Sequence, residues 1–124
     1  MADKGKFYVW KENFAIVKSK KPLHNAFAVV QDKNEITLII EESMIENDSA
    51  VEINRGWKIV TFDCALPFGL VGFISKISSA LAEEGISIFV ISAYSTDHIL
   101  VKTKDLNRTV SNLETIGYQI EMKN

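Results

Sequence analysis

The sequence predicts an α+β fold of the split-βαβ, ferredoxin-like type, and three observations lead to it. In the second half, segments of strand-like composition alternate with two segments of helical period. Their order, β-α-β-β-α-β, is that of one antiparallel sheet carrying both helices on one face. The chain has 124 residues, 47% hydrophobic and 24% charged, enough for one such domain or two very small ones.

The elements follow in order. Residues 6–10 and 14–18 read as a strand pair around Lys11-Glu12-Asn13, and residues 27–30 and 36–40 as a hairpin around Asp32-Lys33-Asn34-Glu35. Residues 22–25 and 43–46 offer one helical turn each at most. This first half fits a degenerate βαββαβ with both helices stunted. That organisation suggests an internal duplication near Arg55-Gly56, with a degenerate N-terminal domain over 1–56 and a regular one over 57–124. The run 57–63 is rich in β-branched and aromatic residues, apolar on both faces, and reads as a central strand broken by Leu66-Pro67-Phe68-Gly69. From Leu70 the period changes: Leu70, Phe73, Ile74, Ile77 and Leu81 recur at helical spacing, and Gly85 is placed to end a helix. Residues 86–94 and 98–102 then form strands around Ser95-Thr96-Asp97. Asp105 stands where a helix cap belongs, ahead of the stripe Leu106, Val110 and Leu113. Gly117 ends that helix, and residues 118–122 make a last short strand.

Composition removes several functions. Fourteen Lys+Arg against sixteen Asp+Glu leave a formal net charge of −2, without the basic field of a general nucleic-acid binder. The strand His98-Ile99-Leu100-Val101-Lys102 lacks the aromatics on which RNA-recognition modules of this topology stack bases. No segment approaches the ~20 apolar residues of a membrane helix. The opening MADKGKFYVWKENF has no apolar run behind its basic residues, so the expectation is a soluble, cytoplasmic protein. His24 and His98 share no metal-ligand spacing and read as surface or strand-end residues. Cys64 reads as a plain buried thiol, Asp63 as a turn acceptor, and no serine has a nucleophile context. Neither a metal, a cofactor nor a catalytic centre is expected.

Two features remain. The junction Ala65-Leu66-Pro67-Phe68-Gly69-Leu70-Val71-Gly72 opens the long helix, where free backbone N–H groups and the positive end of the dipole favour an anion. Its glycines let a carboxylate approach; the alternative is a crowded strand-to-helix turn. Asp97, between adjacent strands, is placed to accept an ammonium or guanidinium group; the alternative is an Asp serving its own turn. Together they describe the two ends of a free amino acid.

At these residues the chain resembles a known family. Leu70-Val71-Gly72-Phe73-Ile74-Ser75, the run 81–92 with Gly85-Ile86-Ser87-Ile88-Phe89, and Tyr94-Ser95-Thr96-Asp97-His98-Ile99-Leu100-Val101-Lys102 look like an ACT domain. The similarity is to small tandem-ACT proteins related to aspartate-kinase regulatory domains and cytosolic arginine sensors. It extends upstream to Phe14-Ala15-Ile16-Val17 and Gly56-Trp57. The resemblance implies an amino-acid-binding regulatory protein without catalysis, acting through assembly as a homodimer, with any regulated enzyme on a separate chain. It implies ligand contacts from Phe68, Gly69, Leu70, Val71, Gly72 and Phe73 on the loop, and from Ile91, Ala93, Thr96 and Asp97 on the facing strand and turn. In the arginine sensors the acid matching Asp97 meets the ligand's cationic end, which implies that a basic amino acid fits. The N-terminal half has no glycine loop matching Gly69-Leu70-Val71-Gly72. The competing reading is a ligand-free oligomerisation or protein-interaction module of the same fold.

Overall fold

The computed structural model describes residues 5–63 and 72–122. Among these residues eight strands and two α-helices follow one another: β1 Lys6–Val9, β2 Phe14–Ser19, β3 Ala28–Gln31, β4 Ile36–Glu41, β5 Ala50–Phe62, α1 Phe73–Glu83, β6 Ile88–Ser92, β7 Asp97–Lys102, α2 Leu106–Thr115 and β8 Gln119–Ile120. Contacts group Met1–Lys11 with Lys58–Asn124 as one unit and Glu12–Trp57 as another.

The larger unit contains the β-α-β-β-α-β read from the sequence, with one addition. Its strands lie in the order β6-β7-β5-β1-β8. The expected order would set β8 directly beside β5; instead β1 is inserted between them, antiparallel to β5 and parallel to β8. Phe7 opposite Phe62 supplies the reason. Phe7 is fully buried in a core with Val60, Phe62, Phe73, Ile77, Leu81, Ile99, Val101, Leu113 and Tyr118. Phe62, Phe73 and Tyr118 meet edge to face, with ring centroids 5.3–6.1 Å apart. In the observed grouping the N-terminal strand goes with the C-terminal elements.

Both helices end as their glycines indicate. Gly85, at φ 71°, follows α1, and the N–H groups of Gly85 and Ile86 donate to Ala82 O and Leu81 O. Gly117, at φ 110°, repeats the arrangement after α2, with Gly117 and Tyr118 donating to Glu114 O and Leu113 O. Asp105 occupies the N-cap position of α2 but its side chain caps nothing. Its carboxylate accepts from Arg108 Nη2 at 2.8 Å, a partner the capping expectation left out.

In the smaller unit the strand order is β3-β4-β2-β5, antiparallel throughout. In chain order its strands take the spatial sequence 4-1-3-2, the arrangement of a split βαβ. Where helices would cross over, the chain has only a turn after β2 and a 3₁₀ turn at Glu42–Met44. Leu23 and Ile45 from those crossovers join Ala15, Val17, Leu38 and Ile40 in its core. The hairpin β3–β4 stands as expected, its turn closed by Asp32 Oδ1, which accepts from the N–H groups of Asn34 and Glu35 at 2.8 Å each. The expected pairing of the first two strands does not occur: β1 pairs with β5 and β8, β2 with β4 and β5.

Arg55-Gly56, read as a repeat junction, lies inside the 13-residue strand β5. Two residues there oppose one on β2, since Phe14 pairs with Trp57 and Ile16 with Asn54. Gly56 takes φ 88° in this bulge, and its N–H donates to Glu42 Oε2 at 2.7 Å.

Candidate functional site

The helix start and the acidic turn lie at one end of the larger unit's sheet. Phe73, the first residue of α1, packs its ring on Phe62, the last of β5. One residue back on β5, Thr61 Oγ1 lies 2.8 Å from Nδ1 of His98, the second residue of β7. The end of β5 thus touches both the beginning of α1 and the beginning of β7.

Strand alternation then assigns faces. Ile99 and Val101 of β7 point into the core beneath the helices, and Asp97 shares their parity. Asp97 therefore stands on the helix-bearing face, as Gly72 does. Its carboxylate accepts a hydrogen bond from Ser92 Oγ at 2.7 Å, across the register pair Ser92–Asp97. Ala93 N–H donates to Thr96 O at 2.8 Å and closes the turn.

Gly72 is the N-cap of α1 at φ 83°, ψ 0°, a left-handed conformation that glycine adopts without strain. A Cβ built there would meet nothing within 4 Å, so the backbone angle, not crowding, selects this glycine. Its carbonyl accepts from Lys76 N–H at 2.9 Å. The first turn of α1 carries no acidic residue to occupy the positive end of the dipole.

The other expected contacts divide. Phe68, Gly69, Leu70 and Val71 lie outside the described residues, as does Cys64. The Phe73 ring is committed to the core against Phe62 and Tyr118 and leaves only its backbone for a ligand. Ile91 pairs with His98 and shares its face of the sheet, opposite to that of Asp97. Ala93 is exposed and Thr96 half-buried in the turn.

His98 was expected at a surface or strand end. It is near the strand's start, but buried, 8% exposed, and bonded on both ring nitrogens: Nδ1 to Thr61, and Nε2 to Thr96 Oγ1 at 3.0 Å. Thr61 Oγ1 also accepts from Trp10 Nε1–H at 2.8 Å. Burial holds the imidazole below its ordinary 6.5, against the opposing pull of the Asp97 charge. No periodicity marks Thr61 or Trp10 as its partners, because they come from strands distant in sequence.

The smaller unit has an open groove of about 470 Å³, lined by Ile16, Lys18, Glu35, Thr37, Glu52, Ile53, Asn54 and Arg55. Lys18 and Glu35 stand 3.9 Å apart there, each about half exposed, an ion pair worth ~0–1 kcal/mol. Among the described residues no helix is long and apolar enough to cross a membrane.

A family model for the ACT domain matches residues 52–115, from β5 through α2. The chain belongs to the ACT domain family. Among curated proteins, human CASTOR3P is 27% identical over 108 residues, covering 76% of this chain and 66% of that protein. The chain thus spans just under two-thirds of that relative. Protein Atu0741 from Agrobacterium tumefaciens superposes with a TM-score of 0.84 at 23% identity, over 99% of this chain and 96% of that one. The regulatory subunit of aspartate kinase from Thermus thermophilus does so with 0.69 at 8% identity, over 93% and 97%. Aspartate kinase from Clostridium acetobutylicum matches at 0.69 and 17% identity over 86% of this chain but 33% of its own. At these identities the structural likenesses establish the fold. They agree with the ACT assignment.

Proposed function

We propose that this protein is an amino-acid-binding regulatory module whose effector lies between the start of α1 and Asp97. One observation carries the reading: an anion-favouring helix start opened by a left-handed glycine and a strand-end carboxylate share one end and one face of the same sheet. The N–H groups of Gly72 and its neighbours suit an α-carboxylate. Asp97 suits an ammonium group or a basic side chain. Membership of the ACT domain family supports an amino acid as the class of effector. The 4-1-3-2 strand order of the smaller unit supports reading it as a second, helix-poor copy of the fold, which would make the protein a degenerate tandem. No catalytic role is assigned.

A thermal-shift panel of the twenty amino acids tests the proposal. An effector at 100 times its Kd should stabilise by about 2.7 kcal/mol. Asp97→Asn should weaken a cationic effector selectively. A flat panel rejects free amino acids, and unchanged affinity in Asp97→Asn removes that residue from the site. The second reading, a ligand-free interaction module, draws on the exposed Phe89 and Val90 of β6, an edge strand open to a second copy. A homodimer mass by light scattering, combined with a flat panel, would favour it.

A further inference from the structure

We propose that His98 is the positioning residue of the effector turn: one buried imidazole ties Thr96 on the turn to Thr61 on β5, and Trp10 completes the chain from the N-terminal strand. The inference rests on the reading of Asp97 as an effector contact. Its own basis is a run of three side-chain hydrogen bonds, Trp10 Nε1 to Thr61 Oγ1 at 2.8 Å, Thr61 Oγ1 to His98 Nδ1 at 2.8 Å, and His98 Nε2 to Thr96 Oγ1 at 3.0 Å.

Donor accounting gives the run a direction. Indole Nε1–H only donates, so Thr61 Oγ1 accepts from Trp10. If the Thr61 hydroxyl proton goes to Nδ1, then Nε2–H donates to Thr96, and the hydroxyl proton left over belongs to half-buried Thr96, within reach of solvent. The other tautomer would leave the Thr61 hydroxyl without an acceptor in this cluster, with Thr61 fully buried. A neutral ring, consistent with its burial, is what this arrangement requires.

The consequence falls on the turn. Ala93–Thr96 closes the hairpin on itself, and Ser92–Asp97 bonds across it. Neither bond reaches β5. Strand pairing holds β7 beside β5, and the imidazole extends that hold to the turn, through the residue immediately before Asp97. Because Trp10 follows β1 and its N–H donates to Ile59 O at 3.0 Å, the inserted strand is joined to the same turn. A sequence of this fold lacking the N-terminal strand would lose the far end of that support.

The test is amide exchange and ¹⁵N–¹H spectroscopy on the full chain without ligand, comparing wild type with His98→Asn and Thr96→Val. Expected in both variants are an Ala93 amide that exchanges about tenfold faster, the factor of one hydrogen bond, and a displaced Trp10 indole resonance. The α1 amides around Ile77 should keep their protection, which a general loss of stability would not allow. Should His98→Asn fail to fold, Thr96→Val alone decides. Unchanged Ala93 exchange with an unmoved indole resonance, or equal loss at Ala93 and in α1, overturns the proposal. Retained Ala93 protection would leave the effector reading intact. A flat amino-acid panel would remove that reading without altering these spectra.

Discussion

His98 shows how the surroundings of one side chain become a property of the whole fold. Its pKa is lowered by burial, with Asp97 pulling the other way. Between the folded value and 6.5 the unfolded chain therefore binds the extra proton, and stability rises with pH. The contribution is complete above pH 6.5 and is lost as the pH falls through the lower, folded value. Urea midpoints should thus be level above pH 6.5 and decline below it, and His98→Asn should remove that part of the decline; an equal decline in the variant would assign it elsewhere. At Gly72 the backbone is decisive. An alanine there meets no steric obstacle but must adopt φ 83°. Gly72→Ala should therefore cost about 1–2 kcal/mol in denaturant unfolding, and no loss would contradict the observed conformation. Gly72 carries a mark in the sequence as a glycine of the junction that opens the helix. His98 carries none, because nothing in Thr96-Asp97-His98 announces that Thr61, 37 residues away, will face the ring.

At the scale of elements, local signals were read most faithfully. The spacing of Phe73, Ile77 and Leu81 with Gly85 behind them located α1, since core burial and helix termination both leave marks within a few residues. Pairing leaves weaker marks. Strands β1 and β2 look like a hairpin because they are neighbours in sequence, yet Phe7 finds its partner at Phe62. The junction at Arg55-Gly56 follows from the order of elements on either side of it, whereas the bulge that Gly56 makes against β2 is a long-range property. β1 is accordingly a structural member of the C-terminal unit. Phe7→Ala should destabilise that unit by about 3–5 kcal/mol, the usual range for deleting a buried aromatic ring. A cost below 1 kcal/mol in chemical denaturation would mean that β1 is an appendage and not part of the core.

At the scale of the molecule, the chain combines an ACT unit carrying two helices and an extra strand with a smaller unit of the same strand order and shortened crossovers. The fold class was legible because the β-α-β-β-α-β order follows from turn residues and period changes along the sequence. Of the residues proposed for the site, Gly72 and Asp97 carry marks in the sequence, whereas strand parity puts Ile91 on the face opposite to Asp97 and the Phe73 ring belongs to the core. These assignments depend on strand parity, which a shift of one residue reverses. The most direct measurement is a crystal structure of the protein grown with the amino acid that most raises its melting temperature. The account predicts the ligand's carboxylate at hydrogen-bond distance, about 2.7–3.2 Å, from the amides at the start of α1, with its ammonium or cationic side chain on Asp97. A ligand bound elsewhere, with Asp97 still engaged only by Ser92, would contradict it.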